Sequence, residues 1–92
     1  MLFDHTLKVT EHNYFVYNNR GAVYVDLGNY KQAISDYDRA IEINPNYAEA
    51  YYNRGIPYIR LGNQKQAIED LKTAARLGLE HSKNILRSYG IN

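Results

Sequence analysis

Few side chains in this 92-residue sequence could do covalent or acid–base chemistry, and their spacing assembles no site. There is no cysteine, hence no thiolate nucleophile, no disulfide and no thiolate metal site. His5, His12 and His81 are scattered; the first two could share a helix face, but roughly 10 Å of helical rise would separate them. Ser35 and Ser82 have no base beside them. Asp36 with Asp38, and Glu69 with Asp70, fall on different sides of a helix and read as solvated surface. Neither a glycine-rich phosphate loop nor a His-Glu-x-x-His helix is present. The expectation is a chain with no catalytic residue, no metal and no cofactor. What remains is the chemistry of binding. Asn19 and Asn53 each carry a donor and an acceptor, the pair needed to hold a peptide unit.

Those two asparagines are 34 residues apart, and so is much else. Residues 14–47 and 48–81 agree at fourteen aligned positions, among them Asn19/Asn53, Arg20/Arg54, Gly21/Gly55, Tyr24/Tyr58 and the Leu-Gly-Asn blocks at 27–29 and 61–63. A period of this length signals stacked helix pairs. In the first unit Tyr17, Tyr24 and Leu27 fall at helical intervals, and Gly28 can turn left-handed after the helix end. Asn29 with Gln32, Asn63 with Gln66, and Asn46 with Glu49 are spaced as capping boxes. A second helix runs to about Ile43, burying Ala33, Ile34, Tyr37, Ala40, Ile41 and Ile43, and Pro45 stops it. Gly21 and Gly55 sit mid-helix, where glycine costs roughly 1 kcal/mol against alanine, so close approach of another helix is expected at both. Pro57 removes an amide inside the third helix, which predicts a kink or broken turn between Asn53 and Pro57.

The pattern Tyr17, Gly21, Tyr24, Ala33, Tyr37, Ala40, Pro45 resembles the tetratricopeptide repeat (TPR), whose motif runs aromatic–Leu–Gly–Tyr–Ala–Phe–Ala–Pro. The second unit matches through Tyr51, Gly55, Tyr58, Ala67, Leu71 and Ala74, and departs at Leu71 (usually aromatic) and Leu79 (usually proline). The resemblance covers residues 14–81. It implies an all-α fold, a right-handed superhelical stack of antiparallel helix pairs, with repeat one at 14–47, repeat two at 48–81 and a C-terminal solvating helix within 80–90. That last helix has Ile85, Leu86 and Tyr89 on one apolar face, with Gly90 past its end. Residues 1–13 occupy positions 22–34 of a preceding repeat, as a half-repeat or cap in which Phe3, Leu7 and Val9 take core positions.

The resemblance also implies a concave groove lined by the first helix of each pair. The groove positions are Phe15, Asn18, Asn19, Ala22, Val25 and Asp26, then Glu49, Tyr52, Asn53, Ile56, Ile59 and Arg60. Asn19 and Asn53 match the family position that clamps a ligand's peptide unit; bonding within the helix or to neighbouring side chains is the alternative. Asn18 stands where chaperone-binding members carry lysine and Ala22 where they carry asparagine, so capture of a C-terminal carboxylate is not expected.

Composition narrows the partner. At 45% hydrophobic and 23% charged residues the chain is an ordinary globular domain. Its net charge of +1, with only Arg60 basic among the groove positions, argues against nucleic acid. The charge is uneven, −2 over residues 1–59 and +3 over 60–92, which is either plain solvated surface or a mark of an acidic partner at the C-terminal end. No apolar run is long enough for a membrane span, the N-terminus lacks the pattern of a signal peptide, and the absence of cysteine fits a cytoplasmic setting. The expected function is non-enzymatic binding of a protein or peptide segment in the groove. The alternative is a self-assembling scaffold, a homo-oligomer joined through Phe3, Leu7, Val9 and Tyr14, because helical repeats need neighbours to bury their apolar faces.

Overall fold

The structure, a computed structural model, describes residues 13–91, so the expected half-repeat with Phe3, Leu7 and Val9 lies outside the described residues. Among the described residues five helices follow one another: α1 (Tyr14–Asp26), α2 (Tyr30–Ile43), α3 (Ala48–Arg60), α4 (Gln64–Arg76) and α5 (Glu80–Ser88). Among the described residues there is no strand. Each helix packs on the next, and α1 also touches α3, which is the contact pattern of stacked antiparallel pairs. The core is built mostly from alanine, with Ala33 and Ala40 on α2, Ala50 on α3, and Ala67 and Ala74 on α4. Residues this small let helix axes approach closely, and Tyr37, Leu71 and Leu86 fill the remaining space.

The turns follow from glycine. Gly28 has φ 79°; its amide donates to the Val25 carbonyl and the next amide, of Asn29, to the Tyr24 carbonyl. This is the Schellman closure expected after α1, and Gly62 repeats it after α3. The capping boxes are only partly realised. Asn63 accepts from the Gln66 amide at 3.4 Å, whereas Asn29 makes no side-chain cap bond. The Asn46–Glu49 box is replaced: Tyr47 is the cap residue, and the Asn46 amide donates back to Asn44 Oδ1.

Two further expectations are corrected. Helix α3 continues through Pro57 without the expected broken turn, and Pro57 is buried below 2% exposure, so packing offsets the missing hydrogen bond. Tyr89 is the C-cap of α5 and is 71% exposed while Leu86 is buried, so the shared apolar face is covered at Leu86 only, although both line one cleft with Ile91. The register of α5 is also shifted. The connection 77–79 is one residue shorter than 44–47, and α4 ends a residue early, so α5 starts two residues ahead of the 34-residue period. Ser82, third in α5, thereby stands where Ala50 stands in α3.

Candidate functional site

The first helices of the two pairs carry the expected groove residues on an open surface. Phe15, Ile56 and Ile59 are 53%, 42% and 51% exposed, and Asn19, Ala22, Asp26, Glu49 and Arg60 are also exposed. Tyr52 is half-buried with its ring 5.3 Å from His81, which carries the surface on toward α5. At the other end Tyr14 stacks on Phe15 at 5.0 Å, and both rings meet Tyr47 at 4.7 and 5.4 Å. Burial, then the charge of Glu49 and the neighbouring Tyr14, raise the Tyr47 phenol above its ordinary value.

The asparagines divide by role. Asn18 is buried at 6% exposure; its Nδ2 donates to Tyr47 Oη at 3.5 Å and its Oδ1 accepts from Asn53 Nδ2 at 3.2 Å. It ties α1 to α3 beneath the surface rather than offering its amide to the groove. Asn53 spends one donor on that tie and keeps its carbonyl oxygen outside any bond among the described residues. Asn19 is exposed and makes no side-chain hydrogen bond among the described residues. The two asparagines of equal repeat position are thus not equivalent: one is half-committed to the scaffold, the other is open.

One residue beyond each asparagine lies an arrangement that sequence reasoning missed. Arg20 grips Asp36 through two bonds of 2.7 and 2.8 Å, and Arg54 grips Asp70 identically while also donating to Asp38 at 2.7 Å. Asp36 and Asp70 are buried, not solvated as their local pattern indicates. Arg54 also lies between two rings, 5.7 Å from the centroid of Tyr51 and 5.6 Å from that of Tyr58. Burial alone would lower the Arg54 guanidinium, but the bonds to Asp70 and Asp38 outweigh it and hold the group charged more firmly than usual. The signal was present: Arg20/Arg54 and Asp36/Asp70 are both identical pairs at the 34-residue offset. These brackets fix α1 on α2 and α3 on α4, and so set the angle at which the groove residues are displayed.

Among the described residues no cluster of three His, Asp or Glu could hold a metal ion, and no helix is long and apolar enough to cross a membrane. The surface of α1 and α3 presents exposed apolar side chains, one open carboxamide and single charges of both signs. These are the groups of noncovalent recognition.

Solved structures give the same architecture. The first TPR of Spaghetti (RPAP3), bound to the HSP90 peptide SRMEEVD, superposes with a TM-score of 0.80 at 25% identity over 94% of this chain and 70% of that one. YrrB, described as a TPR protein with an unusual peptide-binding site, gives 0.76 at 24% identity over 86% of this chain. MamA gives 0.73 at 26% identity over 84%. The chain spans 41% of the YrrB chain and 45% of the MamA chain. No curated protein matches it in sequence. Sequence profiles described as TPR repeat and tetratricopeptide repeat match residues 21–62 and 48–77. With helix pairs, repeat register and profiles in agreement, the chain belongs to the tetratricopeptide repeat family.

Proposed function

We propose that this domain is a non-enzymatic interaction module that holds a peptide segment of a partner protein across the face of α1 and α3. The observation that carries the reading is the combination of large exposed apolar side chains, Phe15, Ile56 and Ile59, with the open carboxamide of Asn19 on one helix-lined surface. Apolar anchors supply affinity and an amide supplies register, which is how grooves select extended or helical segments. A related TPR of 25% identity was solved with a peptide bound, which supports a peptide as occupant. Asn18 and Ala22 stand in place of a carboxylate clamp, so internal segments with apolar residues fit better than a free C-terminus. The test is selection from a displayed peptide library on the wild-type domain, followed by titration of the winners against Asn19→Ala and Ile56→Asp. Loss of at least about tenfold in affinity (roughly 1.4 kcal/mol) is expected. Unchanged affinity in both variants contradicts the reading.

A second reading, self-association, is favoured by one observation. Val23 is 55% exposed at the repeat position where Pro57 is buried below 2%, so repeat one keeps an apolar edge that repeat two covers. Tyr14 lies at the other end of the same helix, against Phe15 and Tyr47. In the 34-residue register Asp4 corresponds to Asp38, the residue that accepts from Arg54. Residues 1–13 of the same or a second copy are the segment we assign to this edge, the second copy giving a homo-oligomer. Sedimentation equilibrium decides: a mass above 10.7 kDa that falls on Phe3→Asp supports association, and a concentration-independent 10.7 kDa contradicts it.

A further inference from the structure

Between α4 and α5, away from the groove residues, lies an open cleft of about 630 Å³ lined by Lys72, Ala75, Arg76, Lys83, Leu86, Arg87 and Ile91. Four of the seven are cations, and the remaining three are apolar. Neither arginine has a carboxylate partner among the described residues. Arg76 Nη2 donates to Thr73 Oγ1 at 3.2 Å and Arg87 Nη1 to Asn84 Oδ1 at 3.3 Å, so each guanidinium is propped by a neutral oxygen one turn back on its own helix. The lysines have only loose, solvent-exposed partners, Glu69 at 4.0 Å and Glu80 at 3.6 Å.

The repeat register adds a second, independent observation. Lys72 and Arg76 stand 34 residues after Asp38 and Glu42. In repeat one those acids are answered within the fold, Asp38 by Arg54 of the next pair and Glu42 by Arg39. In repeat two the sign is reversed at both positions, and among the described residues no acid answers Arg76. Leu86 occupies the seventh place of α5, where Arg54 occupies the seventh of α3. The interior linkage between pairs has thus become a cationic cleft with an apolar floor.

We propose that this cleft is a second binding site, for a short acidic peptide segment with an apolar residue among its carboxylates. Bidentate pairing of carboxylates with the two guanidinia gives orientation, and the floor of Ala75, Leu86 and Ile91 takes the apolar side chain. The volume lies within the range of sites that enclose small ligands. Nucleic acid is the poorer occupant. Phosphate recognition runs along many charges, and single strands stack on aromatic side chains, whereas the lining here has four cations and no aromatic ring. The site is separate from the groove and does not depend on the groove's function.

The probe is a blocked peptide of four glutamates around a central leucine, titrated into isotopically labelled protein at low salt, with its glutamine counterpart as control. Amide shifts are expected at Lys72, Arg76, Lys83, Arg87 and Ile91. The glutamine peptide should bind at least about tenfold more weakly, as should the glutamate peptide to Arg76→Gln/Arg87→Gln, a change that keeps the helices' hydrogen-bonding side chains. Helical circular dichroism confirms the fold of the variant, and the single Arg76→Gln provides the same reading should the double variant unfold. Ile56→Asp in the groove should leave this titration unchanged. The proposal is overturned if the glutamate peptide produces no shifts in the cleft, if the glutamine substitutions leave its affinity intact, or if an oligonucleotide or a phosphatidylserine vesicle occupies the same residues more tightly.

Discussion

Gly21 is the seat of the Tyr37 ring: a Cβ at residue 21 would stand 2.7 Å from Cε1 and 2.9 Å from Cζ of Tyr37. At the equivalent Gly55 the nearest atoms would be the Ala67 carbonyl oxygen at 3.6 Å and Leu71 Cγ at 3.9 Å, ordinary contacts. One glycine is sterically required and its repeat partner is not. Gly21→Ala should therefore destabilise by about 1–3 kcal/mol through overpacking. Gly55→Ala should stabilise by up to about 1 kcal/mol through helix propensity. Tyr37→Leu, which copies the second repeat, should remove most of the penalty of Gly21→Ala in a double variant. Urea melts of the four proteins check all three statements.

Arg54 is asked to satisfy two carboxylates, and its own side chain is only 18% exposed. Arg54→Gln strands Asp70 in the interior and should cost about 3–5 kcal/mol, the usual toll for half of a buried pair. Asp38 is 48% exposed, so Asp38→Asn should cost under about 1 kcal/mol. Equal losses from the two substitutions would mean that the link between pairs, rather than the bracket within a pair, dominates.

Burial, reinforced by Asp26 and Asp36, pushes the Tyr37 phenol up from 10.0 to about 12. The folded state then holds a proton that the unfolded chain releases near pH 10. Stability should be unaffected below that pH and fall by about 2–3 kcal/mol as pH rises from 10 to 12. Tyr37→Phe removes this contribution, and its stability should fall less over the same range. Chemical denaturation at pH 9, 10, 11 and 12 measures the difference.

Ser82 is wholly buried, and its Oγ has no hydrogen-bond partner among the described residues. It occupies the place in α5 that Ala50 fills in α3. Ser82→Ala deletes an unsatisfied hydroxyl without opening a larger cavity and should raise stability by about 1 kcal/mol. A lower melting temperature would point to an unrecognised partner for the hydroxyl.

The recurrence of Leu27-Gly28-Asn29 at 61–63 and the spacing of alanines carry the helix pairs directly, because turn glycines and small core residues act locally. Asp36 and Asp70 were misread because each helix was judged by its own periodicity, while the partner arginine is 16 residues away on another helix. Pro57 has a related explanation: local chemistry breaks a turn there, while its burial in the folded domain keeps the helix continuous. Exposure at Asn19 and commitment at Asn53 could not be told apart by sequence, since Asn18, whose Oδ1 receives the Asn53 bond, has tyrosine as its counterpart in repeat two. The α5 shift escaped notice because two single-residue shortenings add up where the repeat pattern has already faded.

The most direct test of the interaction-module account is chemical-shift mapping of a library-selected peptide on the labelled domain. The account predicts shifts concentrated at Phe15, Asn19, Ala22, Asn53, Ile56 and Arg60, lost in Ile56→Asp while the helical signal is retained. Selected peptides that bind with the groove amides unmoved, or that bind Ile56→Asp as tightly as the wild type, would contradict it.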